Sequence, residues 1–256
     1  MVRLLMKWLH AGVMENGQVS ATTQGTAQGG IISPLMANVY LHYVFDLWAI
    51  AWRKTHARGE MYLLRYADDI VMAFQYEQDA RAMHAALTAR IAKFGLELHG
   101  EKTRVLQFGR FAQDNRSKQG LGKPETFDFL GFTHIAGTDR IGKFLLKRRT
   151  SRKKRHAKQA RLKEEIARRR HHRVGEQHAW LCTVLEGHFR YYGVPTNIEA
   201  LRQFRRHVHK TWLRWLQRRS QRARWNEAQQ LAHDGRFPLP LPRISHPWPR
   251  QRFAAR

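Results

Sequence analysis

The run LLRYADDIVMAF, Leu63 to Phe74, sets two adjacent acids between two short apolar arms. The arms, Met61 to Tyr66 and Ile70 to Phe74, flank Ala67-Asp68-Asp69 and read as two strands joined by a tight acidic turn, so Asp68 and Asp69 sit at a hairpin tip. Two carboxylates at that range hinder each other's ionisation, and a bound divalent cation removes the cost. Magnesium suits such a pair, because it takes one or two protein carboxylates and completes its shell with waters and substrate phosphates. A solvated Asp-Asp turn is the alternative reading, and the surrounding motifs must decide.

Upstream lies Gly25-Thr26-Ala27-Gln28-Gly29-Gly30-Ile31-Ile32-Ser33-Pro34, which opens an apolar helix from Leu35 to Leu47. Glycines let a backbone approach a ligand closely, and a helix start offers unpaired N–H groups to phosphate. Downstream, Ala80, Met83, Leu87, Ile91 and Phe94 recur at helical spacing and predict an amphipathic helix ending near Gly95. Leu96 to Leu98 and Thr103 to Phe108 read as strands around Gly100, and a polar loop spans Gln113 to Pro124. Phe127 to Phe132 and Phe144 to Leu146 predict another hairpin, turning near Gly137.

Beyond this α+β half the pattern is helical. Lys158 to His171 turns Leu162 and Ile166 inward, and Gln177 to Tyr192 carries Leu181, Leu185, His188 and Tyr192 on one stripe. Thr196 with Glu199 has the capping-box pattern for a third helix, in which Leu201, Phe204, Val208, Trp212 and Trp215 face in. Arg202, Arg205, Arg206 and Lys210 largely face out. Pro238, Pro240, Pro242, Pro247 and Pro249 then predict an extended tail rather than another packed element.

The charge is uneven. The 256 residues carry 46 Lys+Arg against 20 Asp+Glu, a net charge of +26. Residues 1–146 hold 17 basic and 13 acidic side chains (+4), leaving 29 and 7 (+22) for the remaining 110. That excludes an ordinary neutral metabolic enzyme and points to a polyanion, nucleic acid ahead of an anionic membrane, since phosphate neutralisation releases counterions. A single cysteine, Cys182, excludes a disulfide scaffold and a thiolate zinc site. His171-His172 and His207/His209 lie one or two apart on helices and so do not face one metal site. No apolar stretch reaches the roughly 20 residues of a membrane span, so no membrane partner and a cytoplasmic, nucleic-acid-associated location are expected.

The order of these motifs resembles the palm of a reverse transcriptase, of the kind encoded by group II introns. The segments that carry the likeness are GTAQGGIISPLMANVYLHYVFDLW, LLRYADDIVMAF, FGLELHGEKTRVLQFGR and FDFLGF, with HFRYYGVPTN, WLRWLQRRSQ and LPRISHP resembling the thumb or maturase region. The resemblance implies a partial palm over 1–146, an antiparallel sheet with packed helices. A three-helix thumb over 147–230 and a Pro-rich tail over 231–256 follow. It implies that Asp68 and Asp69 are the metal-binding aspartates, with Tyr66 and Ala67 shaping the turn. Gln28 and Gly29 would line the pocket for template base and incoming nucleotide, although Ala27 stands where the family usually has proline. Phe129, Leu130, Gly131 and Phe132 would hold the primer end. Lys102 would offer a proton to departing pyrophosphate, its alternative being a surface lysine beside Glu101. Arg202, Arg205, Arg206 and Lys210 would grip RNA.

The implied reaction is RNA-directed DNA synthesis from dNTPs on an RNA template, intron RNA included, and a DNA primer, with two Mg²⁺ ions, Mn²⁺ being a substitute. It needs a further aspartate, which in the family precedes the glutamine-glycine turn. Here Glu15 is the sole acid before that turn. The expectation is therefore a C-terminal portion of a polymerase that extends primers poorly alone. The alternatives are a non-catalytic intron-RNA-binding fragment, or one half of a split enzyme whose separate polypeptide supplies fingers and aspartate strand.

Overall fold

A computed structural model describes residues 32–219 and 227–248, the two strands Val13–Glu15 and Gln18–Ser20, and Arg3 and Lys7. It divides into two compact units, Met1–Leu106 and Gln107–Arg256. The architecture is mixed, with small antiparallel sheets followed by helices, in line with an α+β chain.

In the first unit, β1 (Val13–Glu15) pairs antiparallel with β2 (Gln18–Ser20). Helix α1 (Ser33–Leu41) starts with Pro34 in its first turn, where the missing N–H costs nothing. It does not stop near Leu47 as its apolar run suggests. One π-helical turn, His42–Asp46, carries it directly into α2 (Leu47–His56), so Asp46 lies inside a continuous helical rod rather than at a helix end. Strands β3 (Met61–Tyr66) and β4 (Asp69–Phe74) form the expected hairpin, registered Met61↔Phe74, Leu63↔Met72, Arg65↔Ile70 and Tyr66↔Asp69. Alternation sends Met61, Leu63 and Arg65 inward and leaves Tyr62, Leu64 and Tyr66 exposed. Helix α3 (Glu77–Ala92) buries Met83, Leu87 and Ile91, which close a core with Val44, Phe45, Ala49, Trp52 and Met61.

Leu96–Leu98 and Thr103–Phe108 are not strands. Alternating apolar residues become a strand only when a neighbour supplies the ladder, and β3–β4 is a two-stranded sheet whose edges this segment does not take. Instead the Lys102 and Thr103 N–H groups close a turn onto the His99 carbonyl at 3.1 and 2.9 Å.

In the second unit, the polar run expected as a loop contains a short helix, α4 (Ala112–Lys118). Strands β5 (Phe127–Phe129), β6 (Phe132–Thr138) and β7 (Phe144–Thr150) form an antiparallel meander. The β6–β7 turn lies at Asp139–Gly142, not at Gly137: Asp139 Oδ1 accepts the Ile141 and Lys143 N–H groups, while Gly137 is paired with Leu145 inside the ladder.

Helices α5 (Arg152–Arg168), α6 (Val174–Tyr192) and α7 (Ile198–Gln217) form the expected bundle over Leu162, Ile166, Leu181, Leu185, Phe189, Leu201, Phe204, Val208, Trp212 and Leu216. The Thr196–Glu199 capping box does not form. Thr196 has φ 75°, its Oγ1 accepts the Arg148 N–H at 2.9 Å, and Glu199 pairs with Arg206 instead. After α8 (Glu227–Arg236) the proline-rich segment is extended, yet it is packed, with Leu239 buried in the bundle core. The Ser245 and His246 N–H groups reach the Gly193 carbonyl at 2.9 and 3.0 Å. A Cβ at Gly193 would come within 2.6 Å of Ser245 Oγ, so the segment approaches as closely as glycine permits.

Candidate functional site

The hairpin register makes Ala67 and Asp68 a two-residue turn closed by the pair Tyr66↔Asp69. Ala67 takes φ 53°, the left-handed conformation such turns require and alanine resists. Asp68 and Asp69 are exposed side by side, and no described residue donates a hydrogen bond to either carboxylate. Two exposed, hard oxygen donors of this kind fit part of a magnesium shell. Among the described residues no group of three or more His, Cys, Asp or Glu side chains is placed to hold a metal.

Arg65 is the residue that sequence reasoning passed over. Its Nε and Nη2 fork onto Asp46 Oδ1 and Oδ2 at 2.7 and 2.6 Å, and its Nη1 donates to Asn38 Oδ1 at 2.8 Å and to the Ala67 carbonyl at 2.9 Å. The side chains of Arg65 and Asp46 are 13% and 21% exposed. Hydrogen bonding to Arg65 holds the Asp46 carboxyl below the ordinary carboxylate range, against the opposing effect of burial, and the same bond raises the Arg65 guanidinium. His42 Nδ1 lies 3.4 Å from Asp46 Oδ2.

Gln28 and Gly29 lie outside the described residues. Lys102 is exposed on its turn and makes no hydrogen bond or ion pair with the hairpin tip.

Phe129–Phe132 form the β5–β6 turn, with Leu130 at φ 48° and Gly131 at φ 77°. Two consecutive tyrosines of α6 fix it. Tyr191 donates its hydroxyl to the Leu130 carbonyl at 3.0 Å and stacks on Phe132, and the Tyr192 hydroxyl lies where a Cβ on Gly131 would be only 2.9 Å away. The YY pair inside HFRYYGVPTN was the available signal, although its partner lies some sixty residues upstream.

The four α7 cations separate into two kinds. Arg202 and Arg206 share Glu199 at 4.0 and 3.0 Å while remaining exposed, and Lys210 is exposed. Arg205 is half-buried, donating from Nε and Nη2 to the Pro240 and Leu239 carbonyls, both at 3.0 Å. It clamps the proline-rich segment to the bundle. On α5, Arg152, Lys153, Lys154, Lys158, Arg161 and Lys163 are exposed, with no acid in the first turn. His209 Nε2 meets Asp234 at 2.8 Å, a pairing within the helices and not a metal cluster.

The reverse transcriptase (RNA-dependent DNA polymerase) family matches residues 2–134, just over half of the 256-residue chain. The chain belongs to that family. The matched region contains the Asp68-Asp69 hairpin, its Arg65 brace and the Phe129–Phe132 turn. A group II intron-encoded protein, LtrA of Lactococcus lactis subsp. cremoris, is 57% identical over 42 residues, and the same protein of strain MG1363 matches equally. The match covers 16% of this chain and 7% of that protein, so the chain spans well under two thirds of its curated relatives. Among the described residues no helix is long and apolar enough to cross a membrane.

Proposed function

We propose that this chain works in RNA-directed DNA synthesis as a reverse transcriptase of the group II intron-encoded type, by two-metal nucleotidyl transfer. The observation that supports this best is the pair of exposed carboxylates, Asp68 and Asp69, to which no described residue donates, on a braced hairpin inside the family-matched region. Asp68 and Asp69 would hold the magnesium ions, which when bound polarise the primer hydroxyl and the dNTP phosphates. Tyr66 and Ala67 shape the turn that presents them, and Gln28 and Gly29 line the nucleotide and template pocket. Phe129, Leu130, Gly131 and Phe132 seat the primer end, and Lys102 serves as proton donor to the leaving group.

On this reading residues 1–146 act as palm, 147–230 as thumb and 231–256 as a tail in which Leu239, Pro240, Ser245 and His246 strap the thumb. The thumb grips RNA template, intron RNA or the DNA primer through Arg202, Arg206 and Lys210, while Arg205 serves the strap. Exposed α5 cations without first-turn acids favour a second role as an intron-RNA-binding maturase in the cytoplasm. The further carboxylate that the chemistry needs comes from outside the described tip, from another part of the polypeptide or from a separate one.

One experiment separates the roles: dNTP incorporation on an RNA template with a DNA primer and Mg²⁺, run beside RNA binding, for wild type and Asp68→Asn. Incorporation abolished by the substitution with RNA affinity unchanged supports the polymerase. Incorporation that survives Asp68→Asn overturns the site, and none by wild type overturns synthesis by this chain while leaving the RNA grip.

A further inference from the structure

Arg65 occupies an unusual place for a guanidinium. Strand alternation points it to the same inward face as Met61 and Leu63, beside Ile70 across the ladder. An unpaired charge there would be costly, because burial strips a guanidinium of its water. The four hydrogen bonds described above offset that cost, three to side chains of the helical rod and one to the backbone of the acidic turn. The bond to Ala67 is the one with reach. Ala67 immediately precedes Asp68 and sits at φ 53°, a left-handed conformation that alanine resists. Holding its carbonyl fixes the 67–68 peptide plane, and that plane sets the direction in which Asp68 leaves the turn.

The rod is built to seat this fork. Asn38 and Asp46 are 46 − 38 = 8 residues apart, and in an α-helix, at about 100° per residue, they would diverge by about 80°. The π-turn His42–Asp46 lies between them and absorbs one residue, reducing the divergence to about 20°. Both acceptors then present to one guanidinium.

We infer that Arg65, seated on Asp46 and Asn38, is a positioning residue that sets the geometry in which Asp68 and Asp69 present their carboxylates to a divalent cation. This rests on the reading of those acids as the metal site. Lysine cannot replace it, because a single ammonium cannot fork onto a carboxylate while also reaching an amide and a carbonyl. The brace acts before substrate arrives, by removing the hairpin's freedom to twist at the turn.

The test is a Mn²⁺ titration of the full chain followed by electron paramagnetic resonance, with circular dichroism establishing that each variant is folded. Wild type is expected to show a site that Asp68→Asn/Asp69→Asn removes. Arg65→Ala is expected to weaken that site at least tenfold and Arg65→Lys to restore it only in part. A brace that merely stabilises the fold would lower the melting temperature without moving Mn²⁺ affinity in the folded protein. Should Arg65→Ala fail to fold, the near-isosteric Asp46→Asn carries the measurement, with the same direction and a smaller loss. Binding that needs Asp68 and Asp69 but is unchanged within twofold in the folded Arg65 or Asp46 variant overturns the inference alone. Wild-type binding that does not depend on Asp68 and Asp69 overturns the site reading as well.

Discussion

Asn197 holds Thr150 at two points: its Oδ1 accepts the Thr150 backbone N–H and its Nδ2 donates to Thr150 Oγ1, both at 2.9 Å. Nδ2 also donates to the Tyr192 carbonyl at 2.8 Å, so one buried amide ties the end of β7, the end of α6 and the start of α7. Asn197→Leu keeps the volume and orphans these partners, each costing about 1–3 kcal/mol when buried. The expected loss is about 3 kcal/mol, read as a lower urea midpoint at unchanged slope.

Arg205 and Lys210 stand on the same helix and predict opposite phenotypes. Arg205→Ala releases Leu239 and Pro240 and is expected to speed proteolytic cleavage within 237–243, with RNA affinity nearly unchanged. Lys210→Ala leaves cleavage unchanged and weakens RNA binding.

The α5 cations should dominate the salt dependence of RNA binding. Replacing Lys153, Lys154, Lys158 and Arg161 with alanine is expected to flatten the slope of log K against log salt, by about 0.7 for each lost contact to a single strand. An unchanged slope would show that phosphates lie elsewhere.

His188 is buried against Phe204 and Tyr192, with ring centroids 3.8 and 4.6 Å away, and burial depresses its pKa to about 4, with Lys158 adding to the shift. The unfolded chain therefore takes up a proton near pH 6.5 that the fold refuses. Stability falls as pH drops from about 6.5 to about 4 and levels off below, by roughly 3 kcal/mol for this group. Urea unfolding at stepped pH is expected to show a shallower decline in His188→Gln than in wild type.

Much of the fold could be read from periodicity. Met83, Leu87 and Ile91 on α3 and Leu201, Phe204, Val208 and Trp212 on α7 are buried at the spacing their sequence shows, because burying an apolar stripe is what stabilises a helix. The hairpin at Asp68 was equally plain from the two short apolar runs that flank the acids. The segment 96–108 misled because strand pattern says nothing about whether a partner exists. Thr196 and Glu199 misled because a capping box competes with other partners, and here the Arg148 backbone and Arg206 of the same helix took both side chains. Of the site, the acids were visible in the sequence, whereas Arg65 was not. Its partners Asn38 and Asp46 lie 27 and 19 residues away, and only the π-turn brings them into line.

That turn makes the rod intolerant of added length. A single-codon insertion between 38 and 42 would rotate Asn38 away from Asp46 by about 100°, although every charged group remained encoded. Such a lesion would mimic the loss of Asp68 or Asp69 while leaving both intact, and an inventory of side chains would miss it.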